Sequence, residues 1–346
     1  MEIRKIVIFG ATGNVGSYLT LYAKDFFEKE NIRLEKAESD VRYEIIASGR
    51  RRTTVFEEYD IPYISADLSR TEDIDRLPTE NIFAVMLLSA SIPSYMKQYD
   101  GRKYVESIIL GGFNVLEYCR KCRANRILFT QTVFDQAEYS HSKILKGDDP
   151  QNFSYTGDHA LYVIAKNSVL EMMEHYALEY GLKRFVFRLP TIYGYSPNHF
   201  YLKDGELRKR PVYQMIELAM KGEPLEIWGD PNYAKDMVHV YDLAQMMCKG
   251  VITDVDGGFY NVGTGKPVTL EEQVRTIAEV FAPEKGPSEI IYCPEKESNG
   301  GFLMDISNAA EDLGYSPLYD CRALFEDFKK EMRIQRFASL RASDTE

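Results

Sequence analysis

The chain has 346 residues, 45% of them apolar and 27% charged, enough to bury a sizeable core in one large domain or two lobes. A formal net charge of −11 argues against a general binder of nucleic acid or of anionic membranes. No apolar run is long enough to span a bilayer and no signal-peptide pattern precedes the first strand, so the expected setting is cytoplasmic, with no membrane partner.

The chain opens on Lys5-Ile6-Val7-Ile8-Phe9, a short apolar run that ends in Gly10-Ala11-Thr12-Gly13-Asn14-Val15-Gly16. Val15, Leu19, Tyr22, Ala23 and Phe26 then recur at helical spacing, so the order is strand, tight turn, helix. Gly10 lets the chain turn off the strand, Gly13 lets backbone approach a pyrophosphate, and Gly16 lets the helix pack close. Free N–H groups and the positive helix end then face phosphate, which makes this a dinucleotide-binding unit. The helix is expected to fade at Glu28-Lys29-Glu30-Asn31, with a polar surface insertion running to Asp40.

Tyr43–Ala47 reads as the second strand, ending in Ser48-Gly49-Arg50-Arg51-Arg52. A dinucleotide site selective for NAD usually carries an acid there, to accept from the ribose 2′-hydroxyl. Guanidinium groups instead suit a 2′-phosphate, so NADP is favoured, with NAD the alternative. Ile61–Ile64 is a short third strand closed by Asp67-Leu68, and Phe83–Leu88 a buried fourth strand ending at Ser89-Ala90-Ser91. A helix is expected over about Lys103–Cys122, enclosing Cys119 and Cys122 as structural thiols rather than metal or redox groups. Arg126–Phe129 is the fifth strand and leads into Thr130-Gln131-Thr132. Residues 135–157 read as a loop, Leu161–Tyr180 as a helix and Arg184–Leu189 as the sixth strand. Alternating strands and helices imply an α/β fold, a Rossmann-type doubly wound parallel sheet with right-handed crossovers.

Tyr162 and Lys166 share one helical face. An ammonium and a nicotinamide cation would both lower the phenol pKa from near 10, letting the hydroxyl exchange a proton with a substrate alcohol or carbonyl. After Pro190 the pattern changes to turns and short helices, with strands expected at Met237–Val240 and Phe259–Val262 and helices at Leu270–Phe281 and Arg322–Arg336. The expected division is a dinucleotide-binding domain over 1–190, with late strands near 237–262 added to it. A smaller substrate lobe then covers 191–236 and 263–337, followed by a frayed tail over 338–346. Gly263-Thr264-Gly265-Lys266 lacks the spacing of a phosphate loop, and no histidine has metal-ligand spacing with its neighbours.

These motifs, with Arg188-Leu189-Pro190-Thr191-Ile192-Tyr193-Gly194, Gly229-Asp230, Lys235–Asp242 and Tyr260-Asn261-Val262-Gly263, resemble the extended short-chain dehydrogenase/reductase family, also called the NAD-dependent epimerase/dehydratase family. The resemblance spans about residues 1–330. It implies an enzyme acting on a nucleotide-linked sugar by hydride transfer, as an epimerase or oxidoreductase, and a homodimer. It assigns Tyr162 as proton donor or acceptor and Lys166 as the residue that holds the ribose. It also assigns a third hydroxyl at the end of the fifth strand: alignment from upstream favours Thr132, alignment backward from Val133-Phe134 favours Thr130, and we place it at Thr132. It sets Asp67 and Leu68 beside adenine, Ser89 and Ser91 against the cofactor, and Pro190 and Ile192 at the nicotinamide amide. Asn198 and Lys235 fall in the expected substrate site, and Arg208-Lys209-Arg210 form a nearby basic run.

The chain departs from the family's pattern at several points. A helix asparagine expected near Ile108 is missing, and Lys235 replaces an arginine that holds the substrate diphosphate. The Asp-Glu pair of the dehydratases is replaced by Gln131-Thr132 or Val133-Phe134, which disfavours dehydration. Two other readings are a reductase of a small non-nucleotide carbonyl compound and a catalytically silent NADP-binding regulator.

Overall fold

A computed structural model describes residues 1–93, 98–140, 142–203, 206–297 and 301–342. The first half builds β1 (Glu2–Phe9), α1 (Asn14–Lys36), β2 (Val41–Gly49), β3 (Tyr63–Ser65), α2 (Thr71–Ile74) and β4 (Ile82–Leu87). Then come α3 (Gly101–Tyr104), a π-helical stretch Val105–Leu110, α4 (Gly111–Cys122), β5 (Arg126–Thr132), β6 (Ile144–Leu145), α5 (Ala160–Tyr180) and β7 (Lys183–Leu189). The second half adds β8 (Ile192–Tyr193), β9 (Phe200–Lys203), β10 (Glu206–Lys209), α6 (Pro211–Lys221), β11 (Leu225–Trp228), β12 (Ala234–Lys235), β13 (Val238–His239), α7 (Val240–Ile252) and β14 (Gly257–Asn261). It closes with β15 (Val268–Thr269), α8 (Leu270–Val280), β16 (Ile290–Cys293), β17 (Leu303–Met304), α9 (Ser307–Leu313), α10 (Cys321–Ile334) and α11 (Ala338–Ala342).

Seven strands form one sheet in the order β14-β7-β5-β4-β1-β2-β3, every pair parallel. This is the Rossmann-type α/β architecture that the alternating pattern predicts. Period-2 alternation sends neighbouring side chains to opposite faces. Val7, Phe9, Val85, Leu87, Ile127 and Phe129 meet Val115, Leu116, Val169 and Met173 of α4 and α5 on one face. Ile6, Ile8, Ala84, Met86 and Leu128 meet Leu19, Ala23 and Phe27 of α1 and Leu243, Met246 and Met247 of α7 on the other. A third cluster joins α6, α8 and α10 through Ile216, Ile277, Leu324, Phe325 and Phe328.

The structure departs from the local sequence pattern at five places. No polar insertion follows Glu28, because α1 runs on to Lys36. Its solvent face carries the ion pairs Lys24–Glu28, Asp25–Lys29 and Glu30–Arg33, and Asn31 holds both backbone groups of Tyr43 at 2.7 and 2.8 Å. The helix expected over Lys103–Cys122 is interrupted by its π-helical turn. The loop over 135–157 contains β6, which pairs with β17 from the far end of the chain. The strand expected over Met237–Val240 stops at His239, whose ring nitrogen accepts from the Tyr241 N–H and starts α7. The tail does not fray at once: Phe337 and Leu340 are buried against Tyr18 and Val240, while residues 343–346 lie outside the described residues.

Candidate active site

β1 delivers the chain to the turn at its C-terminal end, where Gly10 takes φ +89°. A Cβ on Gly16 would lie 2.0 Å from the Gly10 carbonyl oxygen, so only glycine lets α1 start this close to the strand. Gly13 caps α1 with extended backbone and without a side-chain hydrogen bond. As a glycine, this N-cap brings no side chain of its own to the positive end of the 23-residue helix. Thr12 is buried, and its carbonyl accepts from Arg51 Nη1 at 2.9 Å; Arg50 beside it is exposed. Asn14 opens α1, and Val15 packs against the core below.

The other residues expected around the nucleotide lie on the strand ends and loops nearby. The Asp67 carboxylate accepts from the Ser69 N–H and hydroxyl at 3.0 and 2.7 Å, which closes its own turn. Leu68 is buried, and its carbonyl accepts from Asn114 Nδ2 at 2.8 Å. Ser89 follows β4 with its backbone over Gly10, and the Ser91 N–H donates to Ser107 Oγ at 3.2 Å. Pro190 is half-buried after β7, and Ile192 lies in β8, paired with Val238.

Tyr162 and Lys166 stand one turn apart on α5, which packs against β5 and β7. Both are buried. The Thr132 side chain acts on the Tyr162 hydroxyl to lower its pKa, and the Tyr162 ring lies 6.0 Å from that of Tyr104. Lys166 Nζ donates to the Thr130 carbonyl at 2.7 Å and sits 4.4 Å above the Phe129 ring. The hydroxyl of Thr130 itself points to the Leu87 carbonyl at 3.4 Å, so of the two threonines Thr132 is the one on the phenol.

The electrostatics differ from the simple expectation of an ammonium lowering a phenol. Burial pushes the Tyr162 phenol up, partly offset by the Thr132 side chain. Burial also pushes Lys166 down from 10.5 to about 7. A lysine with this depressed pKa binds fewer protons folded than unfolded between those values, so its contribution to stability rises with pH across that window and its full cost applies below it. The Tm of the nucleotide-free protein should therefore climb relative to that of Lys166→Met between pH 7 and 10.5. A difference independent of pH over that window would contradict the shift.

The segment after Thr132 is held from behind. Val133–Gln136 forms a 3₁₀ turn whose Phe134 N–H donates to Thr132 Oγ1 at 3.3 Å. Arg188 clamps Asp135 with Nε–Oδ1 at 2.9 Å and Nη2–Oδ2 at 3.1 Å, both side chains buried. Arg188 Nη1 also donates to the Gly147 carbonyl and to Asn261 Oδ1. On the other side Gln131 Oε1 accepts from the Thr132 N–H, while Gln131 Nε2 donates to Asn167 Oδ1, both at 2.8 Å.

Phe134 and His159 form the neighbouring wall, ring centroids 4.2 Å apart, with Phe302 6.2 Å from Phe134. Lys235 lies in β12 just before Asp236, whose N–H donates to the Phe302 carbonyl at 2.8 Å. Asp236 in turn accepts from Thr264 and Met304, which fixes the Gly263–Lys266 loop. Asn198 Oδ1 accepts from the Phe200 N–H at 3.1 Å, so its oxygen closes a turn. The sequence reading singled out neither His159 nor the Gln131–Asn167 pair. The signal for His159 was its position three residues before Tyr162; the amide pair had none, because its members are 36 residues apart.

A sequence model described as the NAD dependent epimerase/dehydratase family matches residues 6–263. The chain is 22% identical over 329 residues to a UDP-glucose 4-epimerase of Halalkalibacterium halodurans, covering 91% of each. It is 24% identical over 338 residues to a dTDP-glucose 4,6-dehydratase of Neisseria meningitidis, covering 91% of this chain and 89% of that protein. Its fold resembles the crystal structure of UDP-glucuronic acid 4-epimerase from Bacillus cereus in complex with UDP-glucuronic acid and NAD, with a TM-score of 0.69 at 17% identity over 95% of this chain and 99% of that one. With a match that takes in the glycine turn, the tyrosine–lysine helix and the late strands, the chain belongs to the NAD-dependent epimerase/dehydratase family.

Proposed function

We propose that the chain is an epimerase or reductase of a nucleotide-linked sugar, with Tyr162, Thr132 and Lys166 as its catalytic group. The observation that carries the reading is the Tyr162–Thr132 hydroxyl pair, one helical turn from a buried lysine. The residues fit a nicotinamide dinucleotide: there is no room for a Cβ at Gly16, the N-cap of α1 is a glycine without a side chain, and the buried Ser48 Oγ has no hydrogen-bond partner among the described residues. Gly10–Gly16 would hold the pyrophosphate, Arg50, Arg51, Asp67 and Leu68 the adenosine half, and Ser89, Ser91, Tyr162, Lys166, Pro190 and Ile192 the nicotinamide half. When bound, the dinucleotide supplies a hydride acceptor and donor.

Tyr162 and Thr132 converge on one point and would there hold the substrate oxygen, alcohol or carbonyl, through two hydroxyls. The phenol carries the proton that the oxygen loses or gains. Lys166, poised near neutrality by burial, regains its charge when ribose hydroxyls and the phenolate gather around it, and so stabilises the ionised phenol. Burial keeps water from this proton. Val133 and Phe134 after Thr132 supply no acid, and Asp135 is bound to Arg188, which favours epimerase or reductase chemistry over dehydration. Lys235, on the strand that leads to Phe302, would meet the substrate diphosphate, with Asn198 nearer the sugar.

Arginines 50 and 51 with no acid at the end of β2 support NADP over NAD. One charge-assisted contact to the 2′-phosphate is worth about 1.5–3 kcal/mol, roughly 10–100-fold in Kd. NADP should raise the Tm more than NAD at equal concentration, and Arg50→Ala/Arg51→Ala should remove the difference. Equal stabilisation of the unaltered protein by both would overturn the preference. The exposed Val105, Leu110 and Phe113 on the helix preceding β5 would be covered by a second copy. The test of the activity is absorbance at 340 nm with UDP-glucose, UDP-glucuronic acid and dTDP-glucose on the dinucleotide-loaded protein. Transient reduced cofactor with product formed marks an epimerase, net reduced or oxidised cofactor marks an oxidoreductase, and no response to any of them contradicts the reading.

A further inference from the structure

The segment that leaves α10 returns across the molecule to the start of α1. Gln335 ends α10 in the left-handed region, φ +53°, and turns the chain back. Its Nε2 donates to the Tyr195 hydroxyl at 2.7 Å. Arg336 grips the buried Glu331 carboxylate at 2.8 and 3.1 Å. The Phe337 ring then meets Tyr18 of α1 edge-on, centroids 4.9 Å apart, inside a buried cluster of Tyr18, Val240, Phe337 and Leu340. Val15, Val55 and Ile192 pack against that cluster. Each belongs to a segment that the proposed function sets around the dinucleotide. Val15 lies in the glycine turn, Val55 in the loop that follows Arg50-Arg51-Arg52, and Ile192 at the nicotinamide half. The Tyr18 hydroxyl donates to the Tyr195 carbonyl at 3.1 Å, so Tyr195 is held at both ends.

The glycine turn has a physical need for such a brace. Its phosphate donors are backbone N–H groups, which cannot reorient one by one as side chains do, and a hydrogen bond weakens steeply once misaligned. Towards β1 the turn is fixed by the fit of Gly16 on the Gly10 carbonyl. Its glycines carry no side chain to pin it elsewhere. The side of α1 that bears Val15 and Tyr18 is covered by the cluster to which Phe337 and Leu340 belong. We propose that Phe337 and Leu340 are positioning residues for the dinucleotide, acting through Tyr18, Val15, Val55 and Ile192. This rests on the proposed function and adds a requirement that the glycine motif does not carry: the seat is completed by residues that follow α10.

The experiment measures the Kd of NADP and of NAD for the full-length protein by titration calorimetry. It compares Phe337→Ala/Leu340→Ala, Phe337→Leu and Phe281→Ala. Phe281 is buried in the third cluster and reports the cost of losing an aromatic ring from a different part of the core. The expected result is a Kd for the tighter dinucleotide raised about 5–150-fold in the double variant, the usual size of coupling between separate sites. Phe337→Leu keeps a Kd near that of the unaltered protein, and Phe281→Ala lowers the Tm without moving the Kd. The melting profile of each variant shows that it is folded at the titration temperature; where the double variant is not, Phe337→Ala alone takes its place. A Kd within about twofold of the unaltered protein, or an equal rise in Phe281→Ala, overturns the inference. Dinucleotide binding that ignores Phe337 and Leu340 overturns this inference alone, and no binding of either dinucleotide by the unaltered protein overturns the proposed function with it.

Discussion

Replacing Tyr162 by Phe will lower kcat on the nucleotide-sugar substrate by about 10²–10⁴-fold, the range expected for losing a positioned general acid–base. The substitution removes only a hydroxyl. The ring stays in its cluster with Tyr104, so the fold is kept. Dinucleotide should still raise the Tm of the variant, because the glycine turn is untouched. Thr132→Val should fall in the same direction by less, since it removes an orienting partner and leaves the proton carrier. A kcat for Tyr162→Phe within twofold of the unaltered protein would show that this phenol moves no proton, whatever the fold.

Asp135→Asn will lower the unfolding free energy by about 3–5 kcal/mol, because it leaves the Arg188 guanidinium buried and unpaired. Against a typical total of about 5–15 kcal/mol this is a large fraction, and it should appear as a lower midpoint in urea. The effect is not confined to stability. Asp135 sits in the 3₁₀ turn capped by Thr132, and Arg188 ties that turn to the Gly147 carbonyl and to Asn261 on the neighbouring edge strand β14. Removing both charges with Asp135→Leu/Arg188→Met should recover part of the loss, as apolar replacement of a buried pair does. A midpoint for Asp135→Asn indistinguishable from that of the unaltered protein would mean that the pair is solvated in practice.

Local features carried the part of the fold that could be read from residues. The strand, glycine turn and helix at the start are encoded within 30 residues, and the alternation that follows dictates the parallel sheet. The end of α1 was not legible because its later turns rest on ion pairs and on Asn31 bonding the backbone of Tyr43 on β2. The π-helical turn and the β6–β17 pairing had no local signature; β6 and β17 are about 160 residues apart. In the site, Tyr162 and Lys166 were visible as a spacing, whereas their charge states depend on burial, which a spacing does not report. Thr130 and Thr132 are equivalent by register on β5. Only the tertiary surroundings tell them apart: the Thr130 hydroxyl donates to the Leu87 carbonyl, while the Thr132 side chain acts on the Tyr162 phenol to lower its pKa.

The account turns on where the phenol stands relative to the nicotinamide, and a crystal structure of the protein grown with NADP reads that distance directly. The account predicts the pyrophosphate on the first turn of α1 and the Tyr162 oxygen facing the nicotinamide ring across a gap that fits one sugar carbon and its oxygen, on the order of 3–3.5 Å from a substrate atom placed there. A nicotinamide ring lying away from α5, with Tyr162 still closed against Thr132 and no opening between them, would contradict it.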